Sequence, residues 1–315
     1  MKANLKLVIR SASFIVILLA LLIGASYIFM PKDNKKESGM DFVDANGILG
    51  EKEGSIDVLI VGDSEIYSSF SPMYMWQNHG FTSYVCGTAA QPLYDSLRFI
   101  ELALQKQSPS AVILETNAIF RKKDAGSFLL SALQSRFSVF RYHDRWKSMR
   151  LRDLYTPASY TWTNDFKGYY YSPKVQAAEK KDYMTPTDRV QSIPDLNLLC
   201  MQKIHSLCRE KGAQLILVSA PSPVNWNYAR HNAIKALAGE NGIPFLDLNL
   251  EPVGIDWNSD TRDKGDHLNH FGATKVSDFI GTYLTASFPL RDRRQDAHYQ
   301  NWQDAYQRYC KVVLK

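Results

Sequence analysis

Cysteine is scarce, with four residues in 315, at positions 86, 200, 208 and 310. That excludes a disulfide scaffold. Cys200 and Cys208 fall on one predicted helix, about 12 Å apart along its axis and too far to bridge. Four unpaired thiols are therefore expected. No metal-site spacing links the cysteines to histidine, so neither a metal nor another cofactor is expected. Strong charge of one sign is also missing. The net charge is +5, and no recognisable nucleic-acid motif occurs, which argues against a nucleic-acid partner. No internal repeat is visible. Charge is absent altogether from residues 11–30.

That uncharged stretch follows Lys2, Lys6 and Arg10. At about 1.5 Å per residue, a twenty-residue helix spans the roughly 30 Å hydrocarbon core of a bilayer. A cleaved signal peptide has a shorter apolar region and a clear small-residue site; residues 24–26, Gly-Ala-Ser, fit that pattern poorly. An uncleaved single-pass anchor is expected. The short N-terminal side points to a cytoplasmic N-terminus with the bulk outside, although Lys32, Lys35 and Lys36 blur the charge asymmetry.

With 45% hydrophobic residues the remainder can bury a full core. Residues 31–54 are polar and carry four glycines, which reads as a stalk. Beyond it, short apolar runs at 58–61, 82–86, 111–114, 215–218 and 244–247 read as buried strands. Helical stretches at 72–78, 92–107, 195–211, 229–238 and 273–286 separate or follow them. Alternation of this kind predicts an α/β fold, a three-layer parallel sheet with helices on both faces. It is interrupted at residues 121–190, which hold thirteen aromatics and fourteen Lys or Arg against seven Asp or Glu. This insertion is expected to be partly helical over 127–153 and irregular afterwards. It serves either as a cover over the sheet edge or as a wall of a substrate cleft. The organisation is thus an anchor over 1–30, a stalk over 31–54, the α/β domain over 55–288 with its insertion, and a helical tail over 289–315.

The first strand ends in Gly62-Asp63-Ser64. Gly62 lets the chain turn, and Ser64 lies at the carboxyl end of the strand, where open α/β sheets bind ligands. The second and third strands bring Gly87 and Asn117 to the same edge. Gly87 offers a backbone N–H and Asn117 a side-chain amide, the donors that an acyl-transfer oxyanion needs. Elsewhere these are an ordinary turn glycine and an Asx turn. Of seven histidines, His267 and His270 lie in a late loop, 263–272, that should return to this edge.

Ser64 in Gly-Asp-Ser, Gly87, Asn117 and the late Asp/His loop resemble the four blocks of the SGNH, or GDSL-like, hydrolase superfamily, over about residues 56–288 without the insertion. In that family a glycine follows the catalytic histidine by five residues, which His267 and Gly272 match and His270 does not. The resemblance implies a flavodoxin-like sheet and a Ser64–His267–Asp triad, with Ser64 N–H, Gly87 N–H and Asn117 as the oxyanion hole. Two places depart from the pattern. Residues 115–118 read Glu-Thr-Asn-Ala instead of Gly-x-Asn-Asp, and the family's aspartate position holds Lys264, flanked by Asp263 and Asp266. Adjacent side chains point apart in an extended chain, so Asp266 reaches the His267 ring poorly, whereas Asp263 can fold back across Gly265. Asp263 is favoured and Asp266 kept.

With an outward-facing anchor, the chain resembles the accessory acyltransferases of cell-envelope polymers, such as the alginate O-acetyltransferases and the D-alanine transfer protein of teichoic acid modification. The resemblance implies serine-dependent transfer of an acyl group, O-acetyl above all, to or from an envelope polysaccharide or teichoic acid-like polymer. It also implies a membrane-bound O-acyltransferase as partner. An esterase acting on envelope glycan and a non-catalytic glycan-binding module are the alternatives. Arg145 and Trp146, with Arg141, Trp162 and Tyr169–Tyr171, are the candidate polymer-contacting wall, set against an ordinary role in core and surface.

Overall fold

A computed structural model describes residues 2–180 and 182–314. In chain order the elements are α1 (Lys2–Phe29), α2 (Val43–Asn46), β1 (Val58–Gly62), α3 (Ser64–Ser69), α4 (Pro72–His79), β2 (Ser83–Gly87), α5 (Leu93–Ala103) and β3 (Ala111–Glu115). The inserted region contributes α6 (Ala125–Arg136) and α7 (Ser138–Tyr142). Then come α8 (Asp195–Glu210), β4 (Gln214–Ser219), α9 (Tyr228–Asn241), β5 (Phe245–Asp247), α10 (His270–Ser287) and α11 (Gln300–Val313). They fall into two compact units. A helical unit takes the described residues of Met1–Asp41 and Lys123–Thr161, and a sheet unit those of Phe42–Lys122 and Trp162–Lys315.

In the sheet unit five parallel strands lie in the order β2-β1-β3-β4-β5. The apolar runs read from the sequence are these strands. Each is too short for a helix, and the sheet's two covered faces remove any need for alternating polarity. Val58, Ile60, Ile113, Ile216 and Val218 face a core completed by Ile66 of α3, Phe70 just after it, Met75 of α4, and Val276, Ile280 and Leu284 of α10. Helices α5 and α8 pack on β1 and β4. Strand order reverses at β1, so a crevice opens between the carboxyl ends of β1 and β3, where open α/β sheets take ligands.

Two boundaries differ from the sequence reading. Residues 42–54 are not a solvated spacer. Ala45 and Ile48 are buried, and Glu51, 3% exposed, forms an ion pair with the fully buried Lys167 at 2.7 Å. Burying a lysine requires such a partner, and Trp302 of α11 completes the enclosure with its ring 4.7 Å from the Lys167 ammonium. Glycines made this segment look like a linker, yet Gly50 is needed for closeness: a Cβ there would lie 2.0 Å from the Trp162 carbonyl oxygen. The C-terminal segment likewise belongs to the sheet unit, since Trp302 is fully buried 5.6 Å from the Trp76 ring.

The insertion divides. Its second part, from Trp162 onward, runs with the sheet unit and covers the open edge of β2, where the Val85 N–H donates to the Lys167 carbonyl at 2.9 Å. An unpaired strand edge is a liability, and this segment protects it. The first part, with α6 and α7, packs with α1 in the helical unit. Helix α1 is long and apolar enough to cross a membrane, with a hydropathy of 2.5 over Asn4–Phe29. The four cysteines are free, with Cys86, Cys200 and Cys208 buried.

Candidate active site

Ser64 is the first residue of α3, directly after β1. The sequence suggested a glycine turn here, but Gly62 is not among the left-handed residues. Its smallness serves packing instead: a Cβ at Gly62 would lie 2.6 Å from Cβ of Glu115 on the neighbouring strand. The turn is made by Asp63, whose carboxylate caps α3 by accepting from the Glu65 N–H at 3.0 Å. At the helix start Ser64 presents a backbone N–H that has no intrahelical acceptor, as an oxyanion donor requires. Gly87 stands in register with Gly62 at the end of β2. A Cβ on Gly87 would lie 3.1 Å from the Asp63 carbonyl oxygen and 3.3 Å from the Tyr67 ring.

Asn117 follows β3 and is held at three points. Its N–H donates to Glu115 Oε1 at 2.7 Å, its Nδ2 to Asp63 Oδ2 at 2.9 Å, and its Oδ1 accepts from Arg230 at 2.7 Å. The arginine fixes which end of the amide is oxygen. One Nδ2 hydrogen is then taken by Asp63 and the second is left for a ligand. Arg121 also binds the Asp63 carboxylate, with Nε at 3.1 Å. Asp63, Asn117, Arg121 and Arg230 thus form one network beneath Ser64.

The late loop supplies a His–Asp pair. Asp263 Oδ2 lies 2.7 Å from His267 Nδ1, and Asp263 Oδ1 accepts the His267 backbone N–H at 2.6 Å. Asp266 is 3.5 Å from the same ring nitrogen, and its Oδ1 accepts from Asn225 at 2.6 Å. The fold-back of Asp263 is made by two consecutive left-handed residues, Lys264 at φ 66° and Gly265 at φ 96°. No side chain fits at 265, where a Cβ would come within 2.7 Å of Pro223 and 2.9 Å of Ala178. Burial alone would raise the Asp263 pKa, but the hydrogen bonds from the His267 ring and backbone, with the charges of His267 and Arg262, bring it below its ordinary 3.8. The partner of His267 is therefore ionised, and it holds the proton of the neutral ring on Nδ1. His267 Nε2 is buried and has no hydrogen-bond partner among the described residues, which leaves it able to accept a proton. His270 is differently placed, packed against Tyr169, Tyr171 and Tyr309.

Glu65 and Glu115 were not singled out in the sequence. Both are buried, and both have pKa values well above the ordinary 4.5, first from burial and next from the charge of Asp63. For Glu115 the Asn117 N–H and the two arginines act the other way. A carboxyl raised on folding binds its proton more tightly in the native state. Its contribution is full below the unfolded pKa and is lost as pH rises toward the folded one. Glu115→Gln keeps the acceptor for Asn117 and removes the titration. Its melting temperature is expected to fall less than that of wild type as pH is raised from acid to alkaline, as read by calorimetry across pH. An identical pH dependence would place the ionised form in the native protein.

Asn225, Arg230, Tyr67 and Arg262 also escaped the sequence reading. Asn225 donates to both Glu65 at 2.5 Å and Asp266. It lies in the loop beyond β4, at the edge where Asn117 was sought beyond β3, so the same reasoning applied one strand further points to it. Tyr67 packs against Tyr170, with centroids 5.9 Å apart, and the Arg262 guanidinium lies 4.8 Å from the Tyr170 ring. Glu65, Asp266 and His267 bring ligand-type atoms within 4.8 Å of one another. Burial and the charge of Asp63 raise the Glu65 pKa, and a carboxyl must give up its proton to ligate a metal.

Of the expected substrate wall, Arg145 is not free to contact a polymer, being 8% exposed and donating to the Phe29 carbonyl at 2.6 Å, while Trp146 is exposed; both belong to the helical unit. Arg141 is engaged by Asp41, and Trp162 packs on Gly47 and Gly50. Of the residues weighed for that role, Tyr170 remains exposed within the sheet unit.

No family model and no curated protein matches the chain. Among solved structures it is similar to the lipase/acylhydrolase from Enterococcus faecalis, at 10% identity over 76% of this chain and 100% of that one, with a TM-score of 0.40. It is also similar to a GDSL-like lipase from Bacteroides thetaiotaomicron, at 13% identity over 73% and 88%, TM-score 0.37. A third is the Pseudoalteromonas esterase EstA, at 7% identity over 72% and 94%, TM-score 0.38.

Proposed function

We propose that the protein is a serine-dependent acyl-ester enzyme that transfers an acyl group, O-acetyl above all, to or from an extracytoplasmic envelope polysaccharide or teichoic acid-like polymer. The observation that carries this reading is the His267 ring, bonded through Nδ1 to ionised Asp263 and free at Nε2, in the loop preceding α10. Ser64 Oγ attacks the acyl carbonyl carbon and gives its proton to His267 Nε2. Asp263 stabilises the imidazolium. The oxyanion takes hydrogen bonds from the N–H groups of Ser64 and Gly87 and from the spare Nδ2 hydrogen of Asn117. As the C–O bond to the leaving alcohol breaks, His267 returns the proton to that oxygen, leaving Ser64 acylated. Water or a sugar hydroxyl then attacks the acyl carbon, with His267 first taking its proton and then returning it to Ser64.

The two acceptors define esterase and transferase. Tyr170, exposed beside Tyr67 and Arg262, suits an acceptor with sugar rings, since an aromatic face offers a sugar a flat apolar platform. Helix α1 serves as the anchor that holds the sheet unit outside the membrane, within reach of a membrane-bound O-acyltransferase. Full-length protein in detergent, given an activated acetyl ester and acetyl-free envelope polymer, should be labelled at Ser64 by a fluorophosphonate and should move acetyl to the polymer faster than to water. Release of acetate alone, unaffected by polymer, would establish the esterase. Absence of both labelling and turnover would establish a binding module.

A further inference from the structure

The helical unit contains a cleft of about 640 Å³ that the reaction at Ser64 does not use. It lies beyond the C-terminal end of α1 and is lined by four cations, Lys32, Arg145, Arg150 and Arg152, with Asp33, Glu37 and Asp153 as its acids. The acids offset this charge only in part, since four cations stand against three acids, of which Glu37 has no ion pair and Asp33 Oδ1 is buried without a partner among the described residues. Asp153 is buried and already committed to Arg145, at 3.4 Å, and to the Arg150 backbone N–H, at 3.1 Å. Asp33 faces Lys35 at 3.9 Å. The side chains of Arg150 and Arg152 are exposed and pair with no carboxylate among the described residues. Arg145 is fixed by its bond to the Phe29 carbonyl, yet its Nε is buried without a partner. The Lys32 ammonium donates to the Tyr27 carbonyl at 2.6 Å, and its pKa is lowered first by burial and next by the charge of Arg145, against an opposing contribution from Asp153.

A buried guanidinium N–H without an acceptor, flanked by two free arginines, calls for an anion with several oxygens. Phosphate meets a planar guanidinium with paired hydrogen bonds, a geometry a single chloride cannot offer. The apolar span of α1 ends at Phe29, three residues before Lys32. If α1 crosses a bilayer, as the anchor reading on which this inference rests requires, the cleft lies at the depth of the lipid headgroups. We propose that this cleft binds a phosphate group, presented by the headgroup of an anionic membrane lipid at the foot of α1.

Native mass spectrometry of the full-length protein, released from micelles holding equal amounts of phosphatidylglycerol and phosphatidylcholine, tests this. Wild type is expected to retain one phosphatidylglycerol. The double variant Arg150→Ala with Arg152→Ala is expected to lower that occupancy at least tenfold, while Arg150→Lys with Arg152→Lys, which keeps the charge but loses the paired geometry, restores only part of it. Both positions are exposed, so the fold should survive, as thermal unfolding will check. Millimolar inorganic phosphate is expected to leave the lipid in place. Phosphate adducts replacing the lipid would mean a free-anion site and overturn the lipid assignment. Equal retention of both lipids, or retention indifferent to the alanine variant, would overturn the site itself. Fluorophosphonate labelling of Ser64 is expected to be unchanged in every one of these variants, which separates this proposal from the catalytic reading.

Discussion

Ser64→Ala and His267→Ala are each expected to lower acyl-ester turnover by on the order of 10⁴- to 10⁶-fold, with the double variant little worse than either. The non-additivity is the informative part. In the proposed mechanism Ser64 is nucleophilic only when His267 Nε2 takes its proton, so losing either should remove the same step. What survives is the contribution of the oxyanion donors and of binding. Asn117→Ala should cost about 3 kcal/mol of barrier, or roughly a hundredfold, if its spare Nδ2 hydrogen meets the oxyanion. Because Asn117 also binds Asp63, this variant should melt lower as well, whereas Ser64→Ala should not. Steady-state rates beside melting temperatures for the four proteins decide the matter. Additive losses at Ser64 and His267 would mean that the two do not share a step.

Asp263→Asn should reduce turnover by about 10⁴-fold, the effect of stabilising the wrong imidazole tautomer, and Asp266→Asn by less than tenfold. The two carboxylates lie 2.7 and 3.5 Å from the same nitrogen, so distance alone separates them modestly. Their other bonds separate them further. Both oxygens of Asp263 serve His267, one on the ring and one on the backbone, while Asp266 is drawn toward Asn225. The pH–rate profile adds a check. Because the Asp263 pKa is held below the ordinary 3.8, the acid limb of wild type should not reflect protonation of this aspartate. A severe loss in Asp266→Asn with a mild one in Asp263→Asn would show that the loop bends elsewhere, and that Lys264 and Gly265 do not govern it. Should His270→Ala abolish turnover while His267→Ala does not, the spacing to Gly272 would be misassigned.

Much of the fold was legible because its determinants are local. Strands buried on both faces appear as uninterrupted β-branched and aliphatic runs, and helices between them carry their own stops, such as Gly80 and Gly242, both left-handed. Ser64, Gly87 and Asn117 could be placed at one edge because a parallel sheet sends the ends of its strands there, whatever lies between them, whereas His267 was preferred to His270 only through the family resemblance and its spacing to Gly272. The choice between Asp263 and Asp266 was legible only as far as a glycine at 265 permits a fold-back. What the sequence could not decide depends on contacts between distant segments. Residues 42–54 resemble a linker in composition, and only the meeting of Glu51 with Lys167, 116 positions away, makes them part of the sheet unit. Arg145 and Trp146 have the composition of a polymer-binding wall, yet Arg145 is buried against the end of α1. The buried carboxyls Glu65 and Glu115 carry no sequence signature at all. Their pKa values are raised by burial and by the charge of Asp63, and both causes exist only once β1, β3 and the loops beyond them have closed over one another.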